Sequence, residues 1–317
     1  MSQSILHAIL ERGPFAPMTR NKYSYVIDSW IQFAGSDPGG WTRKAAQRFY
    51  DEAKERMTVR SANVYIASLR YVSKWYAIQE NDPSLDFALV QISGASYEKA
   101  SSRRSLSGRE TADLLNTCST GKPADMRDFA LMVWGFETGM RRTSLAGCAF
   151  EKLGSHHEYP FIKVPIKGSA GIQTWNVPLS DLCLEALEPW KRWLKKEHHN
   201  KGPIFCQLKR HVTPQDRLVH LPGEELSTYS IYKIVKQRGK NADILNMYPH
   251  VLRHTFITWR KLAKVPEEQI ASITGHAPDV GWKSMSTYLD VALVGKTARE
   301  TTPPWFAKLV RNLLQRR

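Results

Sequence analysis

The chain has 317 residues, with 45 Lys plus Arg against 30 Asp plus Glu and a formal net charge of +15. That length suggests about two domains at ~100–200 residues each, and 42 % hydrophobic residues including 10 Trp and 11 Phe exclude a globally disordered chain. Cys118, Cys148, Cys183 and Cys206 form no CxxC pair, so neither a zinc ribbon nor a disulfide scaffold is indicated, and a reducing cytoplasm is the expected compartment.

The opening residues, MSQSILHAILERGPF, lack a basic stretch followed by an apolar core, and no signal peptide is expected. In the first hundred residues the apolar spacing is helical. Tyr23, Val26, Ile27, Trp30, Ile31 and Ala34 form one stripe. Thr42 is placed to cap a second helix carrying Ala45, Ala46, Phe49, Tyr50, Ala53 and Met57. A third helix is predicted from about Ser61 to Gln79 and stops at Asn81-Asp82-Pro83, because proline disfavours helix in the residue before it. Lys22, Arg43, Lys44, Arg60, Arg70 and Lys74 lie on these helices, either as phosphate contacts or as ordinary solvated charges.

Residues 93–105, SGASYEKASSRRS, are small, polar and basic, which is linker composition. Ser107-Gly108-Arg109-Glu110 reads as a capping box that opens a new folded unit. The expected organisation is a helical domain over 1–97, a linker over 98–106 and a second domain over 107–317. Within the second domain, Asp125–Phe136 is an apolar helix stopped at Glu137-Thr138-Gly139. That apolar stretch, densest around Ala130–Phe136, is far short of the ~20 residues a membrane span needs. Tyr159–Pro165 and Gln173–Pro178 are β-prone runs flanking a Gly-containing turn with Lys167 at its tip. Helices are predicted at Asp181–Glu197, Thr228–Lys240, Pro249–Ala263 and Pro266–Ile273. After Pro303-Pro304, residues Phe306, Leu309, Val310, Leu313 and Leu314 form a last amphipathic stripe. The fold class is mainly α with a small β-sheet (α+β).

Charge is concentrated toward the end of the chain: residues 201–317 hold 19 basic and 9 acidic side chains, a net of +10. A polyanionic partner is the reading this favours, since Lys and Arg neutralise phosphates and release counterions. Four clusters carry candidate chemistry: Thr138-Gly139-Met140-Arg141-Arg142, Lys167, His250-Val251-Leu252-Arg253-His254, and Thr274-Gly275-His276 with Tyr288. His250 and Arg253 are three apart and share a helix face, so imidazole and guanidinium can converge on one phosphate. Taken alone, such a pair is also read as a core histidine beside a surface arginine. His250 and His254 have i, i+4 spacing, but Val251 stands where a zincin needs Glu, so no metal site is expected.

The ordered set resembles the tyrosine recombinase (phage integrase) family. TGMRRTSL resembles its T-G-L-R-x-S-E-L block, HVLRHTFITW its H-x-L-R-H-T block, and TGH followed by STYLDV its L-G-H … Y block. The resemblance covers nearly the whole chain and implies an all-helical N-terminal core-binding domain of SAM-like type that grips DNA, followed by a mixed catalytic domain. By it, Arg141 is the first catalytic arginine, with Arg142 its nearest competitor. Lys167 is the hairpin lysine, a general acid toward the departing 5′-hydroxyl, with Lys163 a rival. His250 and Arg253 are the HxxR pair, His276 is the GH histidine, and Tyr288, the only tyrosine after His276, is the nucleophile.

The implied activity is site-specific strand exchange through a 3′-phosphotyrosine, with no metal or nucleotide cofactor. A phenol of pKa ~10 needs cations around it to attack, and two guanidiniums with an imidazole can stabilise the pentavalent phosphate. Implied partners are double-stranded DNA carrying two recombination sites, three further copies in a tetramer linked by exchange of the C-terminal helix, and accessory DNA-bending proteins. The implied setting is a bacterial or phage cytoplasm, at the nucleoid. Arg103 and Arg104 join the DNA-contact candidates. A type IB topoisomerase-like relaxing enzyme and a non-catalytic DNA-binding relative are the alternatives. The chain departs from the pattern at Ser144, where the family has an acid, at Thr274 in place of Leu, and in the 12-residue step from His276 to Tyr288.

Overall fold

The computed structural model describes residues 5–13, 15, 17–36, 41–81, 92–96, 104–156, 158–165, 174–212, 218–274 and 291–316. Two compact units emerge, Met1–Ser101 and Ser102–Arg317.

The first unit is helical: α1 (Ile5–Arg12), α2 (Pro17–Ala34), α3 (Arg43–Arg56) and α4 (Val59–Gln79). The predicted stripe of α2 supplies Val26, Ile27 and Trp30 to its core, with Ala46, Phe49, Tyr50 and Ala53 from α3. Thr42 caps α3 as expected, its hydroxyl accepting from the Ala45 amide at 3.1 Å. Leu10 of α1, a helix the apolar spacing does not announce, is buried in the same cluster. The segment read as linker is tied down where it begins. Ile92 is buried against this unit, the Ala95 amide donates to the Tyr50 hydroxyl at 2.6 Å, and Asn63 donates to the Ala95 carbonyl at 2.8 Å.

The second unit opens on α5 (Gly108–Asn116). Its capping box is complete: the Ser107 hydroxyl accepts from the Glu110 amide and the Glu110 carboxylate from the Ser107 amide. The end of the expected linker is also fixed, because Leu106 is buried and its amide donates to Thr255 at 2.9 Å. Next come α6 (Pro123–Thr138) and α7 (Arg142–Ala146), then a three-stranded antiparallel sheet in the order β1 (Leu153–His156), β2 (Tyr159–Pro165), β3 (Thr174–Pro178). The sequence had shown β2 and β3 but not the short first strand.

α8 (Asp181–Lys196) leads to a second sheet, β4 (Cys206–Val212) and β5 (Leu218–Glu225), then to α9 (Thr228–Asn241), α10 (Pro249–Leu262), α11 (Glu267–Thr274), α12 (Val291–Glu300) and α13 (Pro304–Gln315). The β4–β5 pair and α12 had no counterpart in the sequence-based prediction.

α6 is the centre of this unit: from Phe129 to Thr138 every residue is buried. A helix apolar all round belongs in a core. Close helix approach is built in at Gly135, where an added Cβ would lie 2.8 Å from Leu252 Cδ1 of α10. α13 shows the predicted stripe, but it packs on its own chain. Phe306, Val310 and Leu313 are buried in the main core, Phe306 lies 5.0 Å from Trp259 centroid to centroid, and Arg311 pairs with Glu185 of α8 at 2.9 Å. The helix expected to be exchanged between protomers is thus a core helix of its own chain here. No helix among the described residues is long and apolar enough to cross a membrane.

Candidate active site

The site forms where α6 ends. Gly139 stops the helix in the left-handed conformation, φ 58°, and its amide still bonds back to Gly135. A side chain there is excluded twice over, since a Cβ would sit 2.6 Å from Phe256 Cδ1 and 3.0 Å from Thr274 Cγ2. The sharp turn, braced by Thr138 Oγ1 accepting from the Met140 amide at 3.2 Å, delivers Arg141 to the first position before α7.

Arg253 approaches from α10. It is buried, and its Nη1 donates to the Gly139 carbonyl at 2.6 Å and the Thr274 carbonyl at 2.9 Å. Two main-chain oxygens from different elements therefore aim this guanidinium. Thr274, a departure from the family pattern, fits: its hydroxyl is satisfied by the Ile270 carbonyl at 2.8 Å, and its own carbonyl serves Arg253.

Burial pushes the Arg253 pKa down to about 9, and the like charge of Arg141 adds to the effect. Arg141, half-buried, is lowered by burial as well. Two guanidiniums partly stripped of water and repelling each other are costly in an empty site, and an anion between them relieves both penalties. His250, one helical turn before Arg253, is exposed, and its ring stacks on His254 with centroids 6.2 Å apart. Arg141 lies just past the end of α6, and His250 and Arg253 share one face of α10, as their three-residue spacing predicted. Arg142 and Lys163, the rivals, are both exposed.

Lys167, His276 and Tyr288 lie outside the described residues. Ser144 sits in the first turn of α7, its amide donating to the Arg141 carbonyl at 2.9 Å. Glu137, the nearest acid in sequence before Arg141, is no substitute for the missing carboxylate, since its oxygens face Ser180, Thr302 and Arg260.

Of the candidate DNA contacts, Lys22, Arg43, Lys44, Arg60 and Lys74 are exposed on α2, α3 and α4, and Arg70 is half-buried. Arg103 lies outside the described residues. Arg104 is exposed, and its guanidinium donates to the Leu245 carbonyl at 2.7 Å and pairs with Glu110, so it also braces the second unit.

The basic C-terminal third also supplies phosphate-contact candidates on α9, beyond those its motifs point to. There Lys233 and Lys236 are exposed and lie 4.6 and 5.7 Å from the ring centroids of Tyr229 and Tyr232. The period-four alternation of Tyr and Lys was the available signal. The other large cation of α9, Arg238, is held by Asp125 at 2.6 Å and Asp128 at 2.7 Å and is structural.

A helix-turn that presents one arginine beside an HxxR helix is chemically suited to hold a phosphate-type anion. The phage integrase family model matches residues 104–291, and the chain belongs to that family. It is 26 % identical over 250 residues to the tyrosine recombinase XerC of Actinobacillus pleuropneumoniae serotype 7, covering 77 % of this chain and 72 % of the relative. It is 26 % identical over 265 residues to the tyrosine recombinase XerD of Staphylococcus epidermidis, covering 83 % and 78 %. Among solved structures, a post-cleavage complex of the XerH site-specific recombinase with palindromic difH substrate aligns with TM-score 0.62 at 17 % identity, over 89 % of this chain and 79 % of that one. A lambda integrase dimer bound to a COC' core site aligns with TM-score 0.60 at 16 % identity, over 87 % and 96 %.

Proposed function

We propose that this chain is a site-specific DNA recombinase that cleaves and rejoins strands through a 3′-phosphotyrosine. The observation that carries the reading is the convergence of Arg141 and Arg253 on the Gly139 turn, with His250 on the same face of α10. In the reaction, the Tyr288 phenol loses its proton to solvent as it attacks the scissile phosphorus, and the bond to the 5′-oxygen breaks. Arg141 and Arg253 hold the non-bridging oxygens as their charge grows, and His250 and His276 donate hydrogen bonds to the same group. Lys167 gives a proton to the departing 5′-oxygen. The phosphotyrosine keeps the ester, so a 5′-hydroxyl from a second strand reverses the step and completes the exchange without a nucleotide. Exposed cations on α2, α3 and α4, and Lys233 and Lys236 on α9, grip flanking phosphates.

The partners are two DNA sites and a tetramer of this chain, supported by relatives solved on DNA, one of them described as a lambda integrase tetramer bound to a Holliday junction. The working place is the nucleoid in the cytoplasm. A nicked suicide substrate carrying the cognate site tests the reading: the wild-type protein should form a covalent adduct in EDTA, and Tyr288→Phe should form none. Tight binding of that site by wild type with no adduct would sink the proposal.

A further inference from the structure

Behind the two arginines lies a second charged pair that the reaction does not use. Glu137 is in the last turn of α6 and Arg260 in the last turn of α10, and both side chains are fully buried. Glu137 Oε1 and Arg260 Nη2 are 3.7 Å apart, and neither has a hydrogen-bond partner among the described residues, nor does Arg260 Nε. A pair this dry and loosely closed adds little to stability, and an apolar pair of similar volume would serve packing as well.

What the pair does have is a set of directed contacts to other elements. Glu137 Oε2 accepts from Ser180, the cap of α8, at 2.6 Å, and from the Thr302 hydroxyl. Arg260 Nη1 donates to the Thr301 carbonyl at 2.5 Å. Its guanidinium is backed by the Phe256 ring, with 4.8 Å to the centroid. Thr301 and Thr302 are the joint between α12 and α13. The pair therefore pins that joint to α10, which carries Arg253, and to the end of α6 at Glu137, four residues before Arg141.

α12 is itself well held. Thr297 donates to Gln269 of α11 at 2.9 Å, and Arg299 meets Asp181 at 3.2 Å and the Tyr159 ring at 5.2 Å. The helix is 10 residues long and begins three residues after Tyr288 in sequence. At ~1.5 Å per residue it carries a displacement of its C-terminal end over ~15 Å to its start.

We infer that Glu137 and Arg260 are positioning residues: through Thr301 and Thr302 they fix the far end of α12 against α6 and α10 and so set the reach of the Tyr288 nucleophile to the phosphate. This rests on the proposed recombinase reading. Misplacing a nucleophile by about 1 Å costs on the order of 100-fold in rate.

The test uses the full-length protein on the nicked substrate, with three readouts: thermal stability, site binding and the first-order rate of adduct formation. The double variant Glu137→Leu/Arg260→Met removes both charges together, so no unpaired charge remains buried. The swap also takes their partners from the Ser180 hydroxyl and the Thr301 carbonyl, so its Tm should fall by a few degrees, but it should stay folded and keep its DNA affinity within twofold while adduct formation slows on the order of 100-fold. The same defect should persist on DNA with a 5′-bridging sulfur at the scissile position. A better leaving group replaces the proton donor but does not aim the phenol. Thr302→Val, which removes only the hydroxyl on Glu137, should slow the step in the same direction and decides the matter if the double variant does not fold. Wild-type cleavage rates in the folded variants would overturn the inference, as would rescue by the sulfur substrate. Absence of adduct in the wild-type protein would instead count against the recombinase reading.

Discussion

Replacing Gly139 by alanine isolates the turn on which the site depends. Gly139 has φ 58°, and a Cβ there meets Phe256 at 2.6 Å and Thr274 at 3.0 Å. The left-handed backbone costs an alanine roughly 1–2 kcal/mol, and forcing a methyl into a packed core adds ~1–3 kcal/mol. The sum, about 3 kcal/mol, should lower the Tm of the second unit by ~6–12 °C for a domain of this size. Gly121 provides the control. Its φ is 70°, yet nothing lies within 4 Å of a Cβ, so Gly121→Ala should pay only the backbone part, on the order of 1 kcal/mol. Calorimetry on both variants reads the difference directly. Activity should separate them further, because the Gly139 carbonyl receives Arg253 at 2.6 Å and any shift of the turn misaims that guanidinium. Equal losses of stability in the two variants, or an undisturbed adduct rate in Gly139→Ala, would refute the contact argument.

Other outcomes follow from the same geometry. Arg253 is the group whose pKa falls to about 9, so its positive charge, and with it affinity for the scissile phosphate, should decline as pH rises through 9 in the DNA-free protein. The sign for folding is opposite: between pH 9 and the ordinary arginine range the unfolded chain binds the extra proton, so this group makes stability rise with pH there. A pH series of site binding should show the first effect, and Arg253→Gln should abolish it. Deleting residues 304–317 should do more than disturb assembly, because Phe306, Val310 and Leu313 leave the core of their own chain. At ~1.5–3 kcal/mol per buried apolar side chain, the truncated protein should melt well below the intact one even without DNA, and an unchanged Tm would contradict the cis packing.

Much of the fold was legible because its signals are local. The stripe of α2, the Thr42 cap, the Ser107–Glu110 box and the Gly139 stop each rest on residues within a few positions of one another. Elements that were missed lack such signals. β1 has four residues and exists because β2 offers it a register partner, Leu153 opposite Ile162. β4 and β5 pair across a mixed polar sequence without an alternating pattern. Arg104 shows the same divide for the site. The sequence around it has linker composition, whereas its intramolecular partners, Glu110 and the carbonyl of Leu245, lie 6 and 141 positions away.

By itself, the sequence determined that the chain is basic, largely helical, and furnished with an ordered series of Arg, Lys, His and Tyr suited to a phosphodiester. Helical periodicity put His250 and Arg253 on one face, and that needs nothing beyond 3.6 residues per turn. Only the tertiary structure decided what aims them. The acceptors of Arg253 are main-chain carbonyls at positions 139 and 274, which every residue type possesses and no sequence pattern marks. It also decided that the terminal helix fills its own chain's core and that Glu137 and Arg260 meet across 123 positions of sequence. The physical reason is common to these cases. Local pattern sets which face of an element is apolar, while long-range packing sets which polar atoms are left to meet when those faces close.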